Sequence, residues 1–321
     1  MSAYIKVLSI SSSVIAVALV FSLFVHSSAP IQVPPGDEVE ISLFQKNYSV
    51  HALPIPDELY FAGERVPLEK TYVREGFDRE MLVNTYWQSQ TLLFLKRANR
   101  YFPVIEPILA SEGVPDDFKY LALIESGFLE RAVSPAGAAG IWQFLAGTAR
   151  DFGLEVSKEV DERYHLEKST AAAARYLKSA YEKYGSWSLA AAAYNAGIRG
   201  IDRQIGRQKV DSYYDLLLVE ETSRYVFRII AIKEIFSNPQ KFGFHLGVDD
   251  LYPVIETYDV EVKAPIADFA DFAQSHGATY REIKDLNPWL RETFLSNSSG
   301  KKYVIKVPKP GAFLVPGPKE D

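Results

Sequence analysis

Leu121 to Phe128 reads LALIESGF, an apolar helical run that carries one glutamate, Glu125, two residues ahead of a glycine. On a helix opened by Pro115, Asp116 and Asp117, the positions Phe118, Leu121, Ala122 and Glu125 are related by i, i+3, i+4 and i+7, so the carboxylate shares the apolar face. Glu125 also falls in the last turn, where the negative end of the helix dipole disfavours an anion. Desolvation and dipole both oppose ionisation. They predict a raised pKa and a carboxyl that keeps its proton near neutral pH, as general-acid work requires. The competing reading is a glutamate at the rim of the core whose oxygen reaches a backbone amide.

Around this stretch, from Asp78 to Phe244, the pattern is helical almost throughout. REMLVNTYWQSQTLLFLKRANRYF and PVIEPILASEG precede it; STAAAARYLKSAYEKYG, SLAAAAYNAG and LLLVEETSRYVFRIIAIKEIF follow. Ser169 and Thr170 can cap a helix, and Gly113, Gly127, Gly185 and Gly197 stand where helices stop. The alanine clusters Ala171 to Ala174 and Ala190 to Ala193, with Tyr176, Leu177 and Tyr194 beside them, predict close helix-to-helix packing. Two further segments bear on chemistry. SPAGAAGIWQF, Ser134 to Phe144, combines permissive glycines with the flat rings of Trp142 and Phe144 and the amide of Gln143, a mixture that suits a sugar or, equally, a packed turn. In AAAYNAG, the polar tips of Tyr194 and Asn195 follow a small-residue helix and can meet the glutamate in one cleft; ordinary core packing of Tyr194 is the alternative.

Composition narrows the classes. The chain has 321 residues, 47% of them hydrophobic, enough for one sizeable core and a small second module. A formal net charge of -6 gives no footing for a nucleic-acid surface. The absence of cysteine removes disulfides, thiolate metal sites, cysteine nucleophiles and a lipidated cysteine. The histidines (His26, His51, His165, His245, His276) show no pair at helical ligand spacing, so neither a metal nor any other cofactor is expected. Residues 1–29 contain an uncharged stretch from Val7 to Val25 behind Lys6, read as a signal peptide or an N-terminal membrane anchor. The expectation is export to the cell envelope with the membrane as tether. Residues 30–77, rich in proline and acid, read as a tether and an arm lying on the next domain, which spans 78–245. Residues 252–310 change character: YDVEVKAP and KKYVIKVP read as strands flanking the short helices of ADFADFAQSHG and TYREIKDLNP, a small βααβ module ahead of a frayed tail at 311–321.

Four motifs in order resemble the lytic transglycosylases that share the goose-type lysozyme fold. Glu125-Ser126-Gly127 is followed by Ser134 through Gln143, by Ala193 through Gly197, and by Glu221-Thr222-Ser223-Arg224-Tyr225-Val226. The resemblance covers roughly Asp78 to Ser237, and Trp142 with Phe144 makes it similar to the membrane-bound lytic transglycosylase D type. It implies a mainly α, lysozyme-like catalytic domain acting on peptidoglycan in the periplasm. Glu125 is then the sole acid/base, cleaving the β-1,4 bond from N-acetylmuramic acid to N-acetylglucosamine. Attack by the muramic acid C6 hydroxyl leaves a 1,6-anhydro sugar. Gln143 and Asn195 are implied to hold acetamido or hydroxyl groups, and Tyr194 to stabilise the oxocarbenium-like state or to position Glu125. Ser134 is implied to border the cleft, and Ser126, Glu221 and Tyr225 to border it or to stand just behind it, with a purely structural role for Glu221 as the equal alternative. A two-carboxylate hydrolase needs a second acid, and between Glu125 and Gln143 only Glu130 is available, past the helix end. Leu145, Ala146 and Gly147 replace the common Met-Pro. The C-terminal module resembles a LysM sugar-binding unit through Ile283, Leu286, Asn287 and Pro288, but Lys263 to Ile266 replace its usual first turn. A hydrolytic muramidase and a non-catalytic peptidoglycan-binding scaffold remain as alternatives.

Overall fold

Residues 49–314 are described by the structure, a computed structural model; the leader, the tether as far as residue 48 and the tail beyond residue 314 lie outside the described residues. Leu53 onward forms one compact unit. The arm begins it with a two-residue hairpin, β1 (Tyr60–Phe61) and β2 (Glu64–Arg65). This arm is part of the core, because Leu59, Phe61, Val66 and Leu68 are buried with the helical residues. Polar groups at both ends fasten it. The Ala62 amide donates to Asp117, which also pairs with Lys233 at 2.7 Å. Glu64 accepts from the amides of Trp187 and Ser188, at a helix start whose N–H groups have no partner within the helix.

The helical part follows as α1 (Thr71–Tyr86), α2 (Gln88–Glu112), α3 (Lys119–Ser126), α4 (Ala146–Asp151), α5 (Leu166–Tyr184), α6 (Trp187–Ala196), α7 (Ile198–Gln208) and α8 (Glu220–Ser237). The sequence suggests a break before Pro103, but the chain breaks at Trp87, whose ψ of 61° lies outside the helix, and α2 runs through both Pro103 and Pro107. Each proline forfeits one backbone bond. Burial of Tyr101, Ile105 and Leu109 on one face holds the helix together across that loss. A 3₁₀ turn, Asp116–Phe118, leads into α3, so Phe118 precedes the helix while still packing at 0% exposure with Leu121 and Ala122.

The alanine clusters pack as expected. Ala172 to Ala174 on α5 and Ala190 to Ala193 on α6 are fully buried, and the Tyr176 hydroxyl donates to the Ala193 carbonyl at 2.8 Å. Methyl-sized side chains let two helices approach while each buried carbon still leaves water. On the other side α1 meets α8, where Arg224 Nε donates to the buried Glu80 at 2.6 Å.

The C-terminal part is strand, helix, helix, strand: β3 (Thr257–Val262), α9 (Phe269–Ser275), α10 (Tyr280–Leu286) and β4 (Tyr303–Pro308), with β3 and β4 antiparallel from Thr257 opposite Pro308 to Val262 opposite Tyr303. Asp268 caps α9, and Thr279 with Glu282 forms a capping box on α10. Buried Asn287 ties α10 to β4, donating to the Lys306 carbonyl at 2.7 Å and accepting from its amide at 2.8 Å. The core beneath it also takes in Ala139, Val160 and Tyr164 of the helical part. Backbone bonds cross that boundary, from Asp161 N–H to the Trp289 carbonyl and from Arg291 N–H to the Glu159 carbonyl. Tyr303 Oη donates to Glu155 there.

Candidate active site

Glu125 occupies the last turn of α3, and Gly127 ends the helix with φ of +59°. A side chain at residue 127 would be strained by that angle and would meet the Phe94 ring at 2.9 Å, which accounts for the glycine two positions after the acid. Ser126 serves the same terminus: its Oγ accepts from Phe128 N–H at 3.1 Å. Glu125 is half-buried, and its carboxylate takes a hydrogen bond from the hydroxyl of Tyr225, which reaches it from α8. Burial pushes the carboxyl up to about 7, against the opposing pull of the Tyr225 hydrogen bond and the Arg228 charge, while Glu221 adds to the rise.

Tyr194 stands near this acid without bonding it. Burial, and then the Glu125 charge, push its hydroxyl well above the ordinary tyrosine value. Its Oη donates to the Trp142 carbonyl at 2.7 Å. Trp142 and Phe144 are core residues rather than a platform for a sugar: they are 0% and 3% exposed, and their rings pack against Tyr194 at 6.4 and 5.9 Å. The Trp142 indole N–H is spent on Thr170 Oγ1 at 2.9 Å.

Asn195 and Glu221 meet across α6 and α8. Asn195 Nδ2 donates to Glu221 at 3.3 Å, and Asn195 Oδ1 accepts from Thr222 Oγ1 at 2.8 Å. Gln143 and Ser134 build the loop between α3 and α4. Gln143, at φ +50°, turns its amide nitrogen onto the carbonyls of Gly140 and Ala132, at 2.7 and 3.2 Å, which leaves Oε1 as its group for a ligand. Ser134 Oγ accepts from Ala138 N–H at 3.1 Å. Gly140 lies so near the Arg163 carbonyl that a Cβ there would come within 2.0 Å of it, and the Arg163 side chain in turn donates to the Gly137 and Phe144 carbonyls.

Glu125, Tyr225, Tyr194 and Glu221 therefore form one electrostatic cluster that reaches Asn195, with Gln143 and Ser134 placed in the adjoining loop and Ser126 at the helix end. Sequence reasoning missed Arg228 and Arg163. The first stands three residues after Tyr225, on the same face of α8, a spacing that could have singled it out. The second acts through backbone carbonyls and leaves no such signal. Among the described residues no group of His, Asp and Glu is disposed to hold a metal ion, and no helix is long and apolar enough to cross a membrane.

Residues 103–216 match the model of the Transglycosylase SLT domain, and residues 258–311 that of the Soluble lytic transglycosylase C-terminal LysM-like domain. The membrane-bound lytic murein transglycosylase D of Escherichia coli K12 is 29% identical over 257 residues, 78% of this chain and 55% of that protein. The membrane-bound lytic murein transglycosylase F of Cronobacter sakazakii is 27% identical over 201 residues, covering 57% and 36%. Among solved structures, the 70 kDa soluble lytic transglycosylase of Escherichia coli matches with a TM-score of 0.41 and 19% identity over 52% of this chain and 29% of that one. The chain thus spans about half the length, or less, of these curated relatives. By its four motifs and both matched segments, the chain is similar to the lytic transglycosylases over residues 103–216, where it matches the transglycosylase SLT domain, and a match to the LysM-like domain follows.

Proposed function

We propose that the chain is a peptidoglycan lytic transglycosylase in which Glu125 acts first as acid and then as base. The observation that carries the reading is the carboxyl of Glu125, held by burial at a pKa of about 7 and hydrogen-bonded by a single tyrosine. Such a group holds a proton close to physiological pH and can give it to the leaving glycosidic oxygen. Once ionised, it is stabilised by the Tyr225 hydroxyl and the Arg228 charge, and as a base it takes the proton of the attacking muramic acid C6 hydroxyl. The sugar closes on itself to the 1,6-anhydro form, so no water has to be activated from the opposite face. Tyr194, fixed through the Trp142 carbonyl, supports the geometry around the acid. Gln143, Asn195 and Ser134 border the substrate, and Ser126 keeps the helix end in place.

One observation favours the hydrolytic reading. Glu221 is a second carboxylate in electrostatic reach of Glu125, tied to Asn195, and it could serve as the base of a muramidase. Glu130 is a poorer candidate, since it faces the seam with the C-terminal module. The relatives' names motivate the further proposal that the protein works in the cell envelope, with the N-terminal segment as its membrane tether.

The test is mass spectrometry of muropeptides released from purified sacculi, run beside Glu125→Gln and Glu221→Gln variants. Anhydro products that vanish only in the first variant support the proposal. Hydrated products lost in both make the chain a muramidase. Undiminished turnover by Glu125→Gln removes the assignment altogether, and sacculus binding without any release leaves a scaffold.

A further inference from the structure

A groove follows the seam between the helical part and the C-terminal module and opens into two cavities of about 340 and 510 Å³ that share Arg100, Tyr101, Glu130 and Asp285 in their walls. Its second cavity is backed by Phe128 to Ala132, the segment that leaves the Glu125 helix. The Ala132 carbonyl there also holds Gln143. None of this groove's lining is Glu125 itself.

Two of the three carboxylates in the first cavity, Glu167 and Glu130, are served very differently. Burial pushes the Glu167 carboxyl up, but the bond to His165 and the ion pair with Lys306 at 2.9 Å overcome it and hold the group at about 2. Glu130 lacks such compensation. Burial drives its carboxyl above the usual range, and the Tyr101 hydroxyl and the Arg100 and Arg131 charges offset only part of that rise. Arg131 pairs with Asp285 at 3.0 Å, whereas Arg100 forms no ion pair among the described residues and uses its Nε on the Pro253 carbonyl at 2.9 Å. Among the described residues Glu130 has no ion-pair partner, although it stands in the wall of both cavities.

Two aromatic residues of the first cavity, Trp289 and Tyr164, already have their rings covered. Trp289 is stacked by His165 on one side and Tyr303 on the other, at 5.4 and 5.8 Å, and the Tyr164 ring is covered by the Arg291 guanidinium at 4.1 Å. What the groove presents is charge of both signs between apolar walls: Glu130 on one hand, Arg100 on the other, with Asp285 already held by Arg131 and Arg281. We propose that this groove binds a short peptide bearing a free ammonium and a carboxylate, of the kind that hangs from peptidoglycan strands, with Glu130 receiving the ammonium and Arg100 the carboxylate. The choice of peptide rests on the function proposed above.

The probe is the synthetic tetrapeptide N-acetyl-L-alanyl-γ-D-glutamyl-meso-diaminopimelyl-D-alanine, titrated calorimetrically into the full chain. A second peptide carries an acetyl group on the diaminopimelyl amine. The first peptide is expected to bind, and the acetylated one to bind roughly tenfold or more weakly, since a charge-assisted hydrogen bond is lost. Glu130→Gln is expected to weaken the first peptide to a similar degree, and hexameric N-acetylglucosamine not to displace it. The acetylation comparison uses the unaltered chain and does not depend on how the variant folds. Equal binding of the two peptides, an unchanged affinity in Glu130→Gln, displacement by the sugar, or no peptide binding by a chain that cleaves sacculi would each overturn the site. Peptide binding with this selectivity by a chain that releases nothing from sacculi would uphold the groove and remove the proposed function.

Discussion

Glu125 and Tyr225 lie 100 residues apart and meet through one hydrogen bond, and the properties of the acid follow from that meeting and from burial. Since the acid must start protonated, activity is expected to fall as pH rises through about 7, which a pH profile of muropeptide release measures. Tyr225→Phe removes a donor that favours the ionised form, so the alkaline limb should move to higher pH while the rate drops by roughly 10²-fold. A limb that stays in place would mean that the tyrosine does not tune the acid. Stability carries the same signature. The folded carboxyl binds its proton more tightly than the unfolded one, so between the ordinary carboxylate range and about 7 the folded chain holds the extra proton and stability declines as pH rises. Glu125→Gln should therefore stabilise the fold at pH 8 by about 1–3 kcal/mol relative to its effect at pH 5, as read by chemical denaturation. An equal effect at both pH values would show that the carboxyl is not perturbed.

At the scale of elements, the loop between α3 and α4 depends on one close backbone approach. Gly140 has φ of +79° and faces the Arg163 carbonyl with no room for a Cβ. Gly140→Ala is expected to cost about 2–4 kcal/mol in denaturant unfolding and to lower activity by displacing Gln143, which hangs on the Gly140 carbonyl. Wild-type stability in that variant would show that the loop yields at no cost. Helix identity here was legible from apolar spacing, since α3, α5, α6 and α8 each bury the stripe that their sequence presents. The join of α1 and α2 was not legible. Pro103 is the stronger local breaker, but the packing of Tyr101, Ile105 and Leu109 outweighs one lost hydrogen bond, and the chain turns at Trp87 instead.

For the whole molecule, the strand-helix-helix-strand segment was readable as a unit, yet its core takes residues from the helical part. Trp289 stands at that junction, 3% exposed between His165 and Tyr303, with its carbonyl on the Asp161 amide. Thermal unfolding of the chain is accordingly expected as a single cooperative transition, and Trp289→Ala should destabilise that transition by about 3–5 kcal/mol. Two separate transitions in calorimetry, with only one sensitive to the substitution, would show that the parts unfold independently.

The sequence by itself determined the helical class, the βααβ order of the C-terminal segment and the singular position of Glu125, because these rest on local spacing: apolar residues three and four apart, caps and glycines at helix ends, and a charge set in an apolar stripe. Tertiary structure decided that Tyr225 and not Tyr194 bonds the acid, that Trp142 and Phe144 turn inward, and that Glu130 faces a groove shared with the last module. Each of these depends on which surfaces meet across distant parts of the chain, and periodicity along one helix carries no information about the partner that will cover it.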